Sequence, residues 1–289
     1  MSTPSGRFAP SPTGPLHLGS LLAATASFLD ARSQNIPWTL RIDDIDTPRN
    51  VPGAADDIIR TLVAHGLHWD GTIVWQSQRL AHYEAAVHTP IHTGRTFYCR
   101  CSRRQLRGIT VYPGTFRQRR HPAPETALRV EVNDAEFEFI DRIQKRQQNR
   151  LFETVGDFIV KRRDGLIAYQ LATAVDDGSD EISQVVRGSD LLDNTPRQLF
   201  LMELLDLEPP DYAHIPTLVS ANGQKLSKQY HAAPVEVAHA RKNLYKILCL
   251  LGQNPPVESE FSSCEALLNW GIHNWSMDAI PAVKNLPAP

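Results

Sequence analysis

Two short segments of the chain carry residue types suited to binding a nucleoside triphosphate. Residues 10–20, PSPTGPLHLGS, follow the apolar residues 8–9 and lead into a segment with helical periodicity. A helix N-terminus offers free backbone N–H groups and the positive end of the helix dipole, so His17 would stand beside an anion. Residues 225–228, KLSK, present two lysines that can place positive charge on developing phosphate charge. Together the segments predict a site that holds a triphosphate from both ends.

These segments resemble the two signature motifs of the class I aminoacyl-tRNA synthetases, and further blocks narrow the resemblance to the glutamyl branch. The blocks follow that branch's order along the chain: PSPTG at 10–14, LRIDDID at 40–46, YQL at 169–171 with VDD at 175–177, and VRGSDLL at 186–192 with TPRQ at 195–198. Each block is short, so the specificity comes from their common order. All of them lie within residues 1–235.

The resemblance implies glutamate as a substrate and a pocket that binds it. Arg7 on the first strand can make the planar, two-pronged contact that a carboxylate prefers, and Arg187 adds charge. Asp43 would bind the α-ammonium group, although family members often have glutamate there, one methylene longer. An acidic loop cluster and an ordinary ion pair of Arg187 are the structural alternatives. The implied pocket consists of Arg7, Phe8, Ala9, Pro10, Ser11, Asp43, Tyr169 and Arg187.

The resemblance also implies ATP with Mg²⁺. His17 and Lys228, assisted by Lys225, would contact the phosphates and are the predicted catalytic residues. Ser20 stands where the family motif has a second histidine, so one imidazole contributes. A helix-capping histidine and a solvated lysine pair are the structural alternatives. The implied ATP-binding residues are His17, Gly19, Ser20, Lys225, Leu226, Ser227 and Lys228.

A family zinc site is incomplete in this chain. Cys99, Cys101 and Tyr112 match three of the family's ligand positions, but Phe116 stands where the fourth ligand, a cysteine, is expected. A structural zinc ion takes four N, S or O ligands. We therefore expect no zinc here unless His121 substitutes, and we predict no metal site other than the Mg²⁺ that accompanies ATP.

The elements that position these residues alternate in type. Strands at 7–9 and 38–42 alternate with helices at 18–34 and 54–65, which predicts βαβ units and a parallel sheet. The fold class is therefore α/β, by resemblance a Rossmann-type class I synthetase core with an inserted connective segment and a short helical C-terminal region. Further strands are expected at 128–132, 137–143, 158–162 and 168–174, and further helices at 80–92, 195–205, 235–251 and 264–270.

The expected domain organisation is a catalytic domain over 1–235, with an insertion at about 95–150, and a helical region over 236–289 whose last residues, 280–289, are frayed. The segment after Lys228 is short for an anticodon-binding domain, so we expect none. Arginines cluster between Arg100 and Arg120 without an intervening acid. They predict phosphate contacts, with a solvated basic face as the alternative.

Composition narrows the function classes. The chain has 289 residues, 42% apolar and 21% charged, four cysteines and a formal net charge of −2. With no apolar run that could span a bilayer and no secretory signal, we expect a cytoplasmic protein without membrane contact. We also expect a monomer.

The resemblance implies a free-standing paralogue of the glutamyl-tRNA synthetases. Such an enzyme activates L-glutamate without tRNA and transfers it to queuosine at the wobble position, so its partner is the anticodon loop of tRNA(Asp). Three alternatives stay open: a truncated glutamyl- or glutaminyl-tRNA synthetase that acylates a tRNA 3′ end, an RNA-free adenylate-forming ligase, and a non-catalytic tRNA-binding paralogue. Arg7 and Arg187 favour a charged over an amide side chain as substrate.

Overall fold

A five-stranded parallel sheet forms the centre of the molecule in a computed structural model that describes residues 4–102, 104–178, 181–220 and 233–289. Its strands are β1 (Ser5–Phe8), β2 (Trp38–Ile42), β3 (Val74–Trp75), β9 (Ile182–Gly188) and β10 (Asp211–Ile215), in the order β10-β9-β1-β2-β3. Successive strands are added on opposite sides of the β1–β9 pair: β2 and β3 lie beyond β1, and β10 lies beyond β9. Ligands of open α/β sheets bind at the carboxyl ends of the strands at such a point. The predicted α/β class is confirmed.

The helices α1 (Leu18–Ser33) and α2 (Ala54–Ala64) follow β1 and β2. Helix α1 is buried on most of its circumference, because it packs between the sheet and the C-terminal helices. Small side chains permit its close approach to the sheet: a Cβ atom on Gly6 of β1 would lie 3.0 Å from the Cβ atom of Ala31. This packing holds α1 closely against β1.

A second group of elements lies between β3 and β9. It comprises the helix α3 (Leu80–His92), an antiparallel sheet of β4 (Thr96–Cys99), β5 (Ala127–Val130) and β8 (Phe158–Lys161), the hairpin β6 (Glu136–Asp141) with β7 (Lys145–Arg150), and the short helix α4 (Leu151–Thr154). The strands expected at 128–132, 137–143 and 158–162 correspond to β5, β6 and β8. The β6–β7 hairpin contacts β10 of the central sheet.

The strand predicted at 168–174 is wrong, since these residues belong to the helix α5 (Tyr169–Asp177). The segment contains three alanines, which favour a helix, and the buried face recurs at helical spacing through Leu171, Ala174 and Asp177. In a helix, Tyr169 and Asp176 are seven residues apart and lie on the same face. Because of this error, the buried carboxylates of α5 were not predicted.

The C-terminal part packs on α1. After α6 (Thr195–Leu204) and β11 (Thr217–Val219), helices α7 (Ala240–Leu250) and α8 (Cys264–Asn274) join the core around α1. The tail expected to fray instead forms β12 (Asn285–Pro287), which pairs with β11, and the Ala288 N–H donates to the Val219 carbonyl at 2.8 Å. No helix within the described ranges has the length and apolar character needed to span a membrane.

Candidate active site

A cavity of about 520 Å³ opens at the carboxyl ends of β1 and β9. All eight residues of the implied glutamate pocket line it, together with three of the residues assigned to ATP. These are Arg7, Phe8, Ala9, Pro10, Ser11, Asp43, Tyr169 and Arg187, and His17, Gly19 and Ser20. The structure thus brings together residues from β1, α1, α5 and β9 and the end of β2.

The second signature segment, Lys225, Leu226, Ser227 and Lys228, lies outside the described residues. The residues on either side of it approach the cavity. Leu218 on β11 lines the cavity, and Pro234 forms a β-bridge with His17. The roles assigned to Lys225 and Lys228 remain predictions.

The His17 ring caps helix α1 and also lines the cavity. Its Nδ1 accepts the Ser20 N–H at 3.2 Å, and its Nε2 lies 3.1 Å from the Ser20 hydroxyl. Gly19 permits this arrangement, since a Cβ atom there would come within 3.2 Å of the ring. A neutral ring with Nδ1 as acceptor carries its proton on Nε2. The capping contact therefore fixes an imidazole N–H at the N-terminal end of α1.

Buried ion pairs form the floor of the cavity. Arg7 uses its Nε and Nη2 for Asp177 of α5, at 3.1 and 2.6 Å, and Arg41 of β2 reaches the same carboxylate at 2.6 Å. Burial alone would raise the pKa of Asp177, but the charges of Arg7 and Arg41 hold it well below its ordinary value. Removing one partner of a buried pair typically costs about 3–5 kcal/mol, so these pairs fix the floor.

The two-pronged contact expected between Arg7 and a substrate carboxylate is thus made to Asp177 instead. Arg7 lines the cavity and carries positive charge there, and its contact with glutamate remains a prediction. The sequence reasoning did not assign Arg41, Asp176 or Asp177 to the site, although all three stood in the motif blocks. Their place in those blocks was the available signal.

Asp43 lies at the cavity edge of this network. Its Oδ1 accepts from Arg41 Nε at 2.7 Å, and its side chain is nearly buried. Burial raises the pKa of Asp43 to about 6; Arg41 opposes the rise, while the nearby carboxylates Asp176 and Asp177 add to it. A cation bound in the cavity would stabilise the ionised form. Asp43 is therefore suited to bind an ammonium group.

Arg187 at the end of β9 is buried, with one nitrogen unused. Its Nε donates to His214 Nε2 and its Nη2 to Thr195 Oγ1, each at 2.9 Å, and its Cζ lies 5.0 Å from the centre of the Tyr212 ring. Its Nη1 has no hydrogen-bond partner among the described residues. An unpaired buried donor is costly, and a carboxylate in the cavity would remove that cost.

The degenerate zinc site is a compact, hydrogen-bonded cluster. Cys99 Sγ lies 3.3 Å from Tyr112 Oη and accepts the Cys101 N–H at 3.3 Å, while the Phe116 N–H donates to Tyr112 Oη. The Phe116 side chain packs against this cluster and offers no ligand atom. The residues present therefore do not fit a four-coordinate zinc ion.

We predict that the purified protein holds well under one zinc per chain, and that Phe116→Cys raises the zinc content, because the other three positions already converge. Elemental analysis after dialysis measures both. Phe152→Cys, at an exposed position of α4, controls for zinc bound by any added thiol. Stoichiometric zinc in the unmodified protein would refute this and point to a substitute ligand such as His121.

The predicted basic patch is smaller than the sequence suggested. Arg117 pairs with Asp157 at 2.6 Å, and Arg120 pairs with Glu131 at 2.5 Å, so two of its arginines are used within the fold. Both acids lie outside the 100–120 segment, which is why the local charge pattern overstated the patch. Arg100, Arg104 and Arg107 are exposed, and with the half-buried Arg119 they remain the predicted phosphate contacts; Arg103 lies outside the described residues.

The chain matches the family model described as "tRNA synthetases class I (E and Q), catalytic domain" over residues 5–111 and 110–284. It belongs to this family. Among curated relatives, glutamyl-Q tRNA(Asp) synthetase of Ectopseudomonas mendocina (strain ymp) is 46% identical over 282 residues, covering 97% of this chain and 96% of the relative. The glutamyl-Q tRNA(Asp) synthetase of Pseudomonas aeruginosa PAO1 is 45% identical over 283 residues, covering 98% and 97%.

Solved structures support the fold. A glutamate tRNA ligase from Elizabethkingia meningosepticum, crystallised with its amino acid, matches with a TM-score of 0.79 and 22% identity, over 98% of this chain and 67% of that one. The glutamate-tRNA synthetase of Elizabethkingia anophelis matches with a TM-score of 0.81 and 21% identity, over 100% and 68%. At these identities the likeness concerns the fold.

Proposed function

We propose that this chain activates L-glutamate with ATP and transfers it to queuosine at the wobble position of tRNA(Asp). The observation that carries the proposal is the cavity at the carboxyl ends of β1 and β9. Among its lining residues, Arg187 has an unpaired buried N–H donor and Asp43 has a carboxylate. The two groups are suited to the two ends of a glutamate molecule. The acceptor is taken from the names of the relatives, which match this chain over nearly its whole length.

Each substrate group has a partner of suitable chemistry. The Arg187 Nη1 would bind the side-chain carboxylate, with the Tyr169 hydroxyl beside it and the charge of Arg7 beneath. Asp43 would bind the α-ammonium group. The α-carboxylate would then face the start of α1, where backbone N–H groups can bind phosphate oxygens and the His17 Nε2–H can do so in place of its bond to the Ser20 hydroxyl. Mg²⁺ bound to ATP would reduce the negative charge of the phosphates.

The proposed reaction has two steps. In the first, an α-carboxylate oxygen of glutamate attacks the α-phosphorus of ATP, the bond to the β-phosphate oxygen breaks, and pyrophosphate leaves. In the second, a hydroxyl of the queuosine cyclopentenediol attacks the carbonyl carbon of the adenylate, an ester forms, and AMP leaves as the hydroxyl proton is lost. Neither step uses a protein nucleophile, so positioning and charge stabilisation would supply the catalysis.

Activation should not need tRNA, because the residues assigned to glutamate line the same cavity of this chain as His17, Gly19 and Ser20, the described residues assigned to ATP. ATP–pyrophosphate exchange with the purified protein and glutamate alone measures this. Strict dependence on added tRNA would count against the proposal. Labelled glutamate offered with tRNA from queuosine-containing and queuosine-deficient cells then tests the acceptor, and only the former should be labelled.

The RNA-binding surface, the oligomeric state and the cellular location are proposed from the same reaction. The anticodon loop would approach the cavity with its phosphates near Arg104 and Arg107, because single-stranded loop bases can turn outward for recognition. We propose a monomer in the cytoplasm, where tRNA is modified. Sedimentation with and without tRNA would test the monomer.

Glutamate affinity should fall as the pH drops below about 6, the pKa of Asp43 raised by burial. A protonated Asp43 is neutral and cannot pair with the ammonium group, so affinity is constant above that pKa and falls about tenfold per pH unit below it. Equilibrium dialysis of labelled glutamate across this range measures the effect. Asp43→Asn should bind weakly at every pH and lose the dependence; an unaltered pH profile in that variant would refute the assignment.

A further inference from the structure

We propose that His214 and Asp141 are positioning residues that hold Arg187 for the glutamate side chain, so that the inserted hairpin takes part in amino-acid selection. The inference rests on the proposed function, because it takes Arg187 as the group that binds the carboxylate. Neither residue lines the cavity, and sequence reasoning singled out neither. Both side chains are fully buried.

A continuous chain of hydrogen bonds joins the three residues. His214 Nδ1 lies 2.6 Å from Asp141 Oδ2, and His214 Nε2 lies 2.9 Å from Arg187 Nε. The arginine nitrogen can only donate, so Nε2 must accept and Nδ1 must carry the proton. The Thr195 hydroxyl closes the arrangement, since it accepts from Arg187 Nη2 and lies 3.3 Å from the same Nε2.

Asp141 is held in the ionised, accepting state that this tautomer needs. Its Oδ1 accepts the backbone N–H groups of Ile143, Gln144 and His214, at 3.0, 2.7 and 3.1 Å. Burial would raise the pKa of Asp141, but these bonds and the bond from His214 bring it below its ordinary value. Burial, aided by the charges of Arg187 and Arg7, outweighs the opposing effect of Asp141 and lowers the pKa of His214 to about 4, so its ring is neutral at physiological pH.

The hairpin that carries Asp141 is fixed to the central sheet by further bonds. Arg142, next to Asp141, pairs with Asp30 of α1 at 2.6 and 2.9 Å, and its N–H donates to the Tyr212 carbonyl at 2.9 Å. Gln144 Nε2 donates to the His214 carbonyl at 3.0 Å. These contacts place the Asp141 carboxylate against β10, where His214 is the register partner of Arg187 on β9.

This arrangement determines which guanidinium nitrogen is left for substrate. Nε and Nη2 are bound to His214 and Thr195, and Nη1 has no partner among the described residues. A proton moved to Nε2 of His214 would set two N–H groups against each other at 2.9 Å. Arg187 would then turn away, and the orientation that leaves Nη1 unpaired would be lost.

Asp141→Asn tests the proposal. The asparagine oxygen can keep the three backbone N–H groups, so its NH₂ would face His214 Nδ1 and force the proton onto Nε2. We expect kcat/KM for glutamate to fall about 10- to 100-fold, mainly through KM, as for a misplaced binding group. The KM for ATP should be unchanged, and the preference for glutamate over glutamine should decrease. Pyrophosphate exchange with each substrate varied in turn gives these constants.

Asp157→Asn is the matched control, because Asp157 is a buried carboxylate that binds Arg117 and the Val132 N–H away from the cavity. Any general loss of stability should affect both variants, while the effect on the KM for glutamate should appear only in Asp141→Asn. Equal values of this KM in the two variants would overturn the proposal. Absence of glutamate-dependent exchange in the unmodified protein would instead refute the proposed function.

A second measurement decides the matter even if Asp141→Asn fails to fold. Nitrogen-15 NMR of histidine-labelled unmodified protein, with His214→Gln to assign the signals, reports the tautomer directly. We expect a neutral His214 with its proton on Nδ1, whether or not glutamate is bound. A proton on Nε2, or a protonated ring at neutral pH, would contradict the proposal.

Discussion

Replacing Arg187 with glutamine is expected to lower kcat/KM for glutamate activation about 10²–10³-fold, the usual effect of removing one member of a buried charged pair. The amide can still bond to His214 or Thr195, but it cannot supply the positive charge of Nη1. The loss of kcat/KM should therefore be seen when glutamate is the varied substrate, while the KM for ATP is unchanged. The variant should also lose preference for glutamate over glutamine, because an amide pairs as well with one as with the other.

Arg117→Gln is the matched control for this prediction, since the Arg117 guanidinium likewise makes two side-chain hydrogen bonds within the fold, both to Asp157 and away from the cavity. It should leave both Michaelis constants unchanged. A variant at Arg187 that weakened ATP binding and spared glutamate would place Arg187 at the nucleotide and contradict its proposed role.

Lys228→Ala should reduce adenylate formation about 10²–10³-fold, the size of one lost charge contact in a transition state. The proposed contact is to the phosphates, so the equilibrium affinity for glutamate should be nearly unchanged. Pyrophosphate exchange and equilibrium dialysis measure the two quantities separately. Lys242→Ala, an exposed lysine on α7, controls for a general change of surface charge. Surviving exchange with lost glutamate binding would show that the lysine assignment is wrong.

The first strand, the turn after it and the first helix could be predicted because their determinants are local. A short apolar strand, a proline- and glycine-containing turn and a capping residue before a periodic segment specify β1 and α1 within about one or two residues, the usual uncertainty of element ends. The motif blocks then identified side chains that the fold brings into one cavity. Parallel βαβ topology explains why, since it gathers the carboxyl ends of β1, β2 and β9.

The buried charge network could not be predicted in the same way. Arg7, Arg41 and Asp177 lie on three elements far apart in the chain, and no periodicity marks a buried ion pair. The strand predicted at 168–174 ends before Asp177, so it did not place Asp177 on a face shared with Leu171 and Ala174. The chain through Asp141 and His214 was hidden for a related reason, since it depends on a hairpin docking against β10.

The C-terminal tail, residues 280–289, could not be predicted for a third reason. Three prolines predicted fraying at 280–289, yet the backbone of β12 finds partners on β11. Pairing of this kind depends on an exposed strand edge elsewhere in the fold. Such an edge leaves no signal in the sequence of the segment that covers it.

The most direct test of the central claim is to locate the glutamate on the RNA. tRNA(Asp) containing queuosine would be incubated with the protein, ATP and labelled glutamate, then digested with a nuclease and separated into fragments. The label is expected to stay with the anticodon fragment and to be absent when queuosine is absent. Recovery of the label on the 3′-terminal adenosine would contradict it and assign the chain to ordinary tRNA aminoacylation.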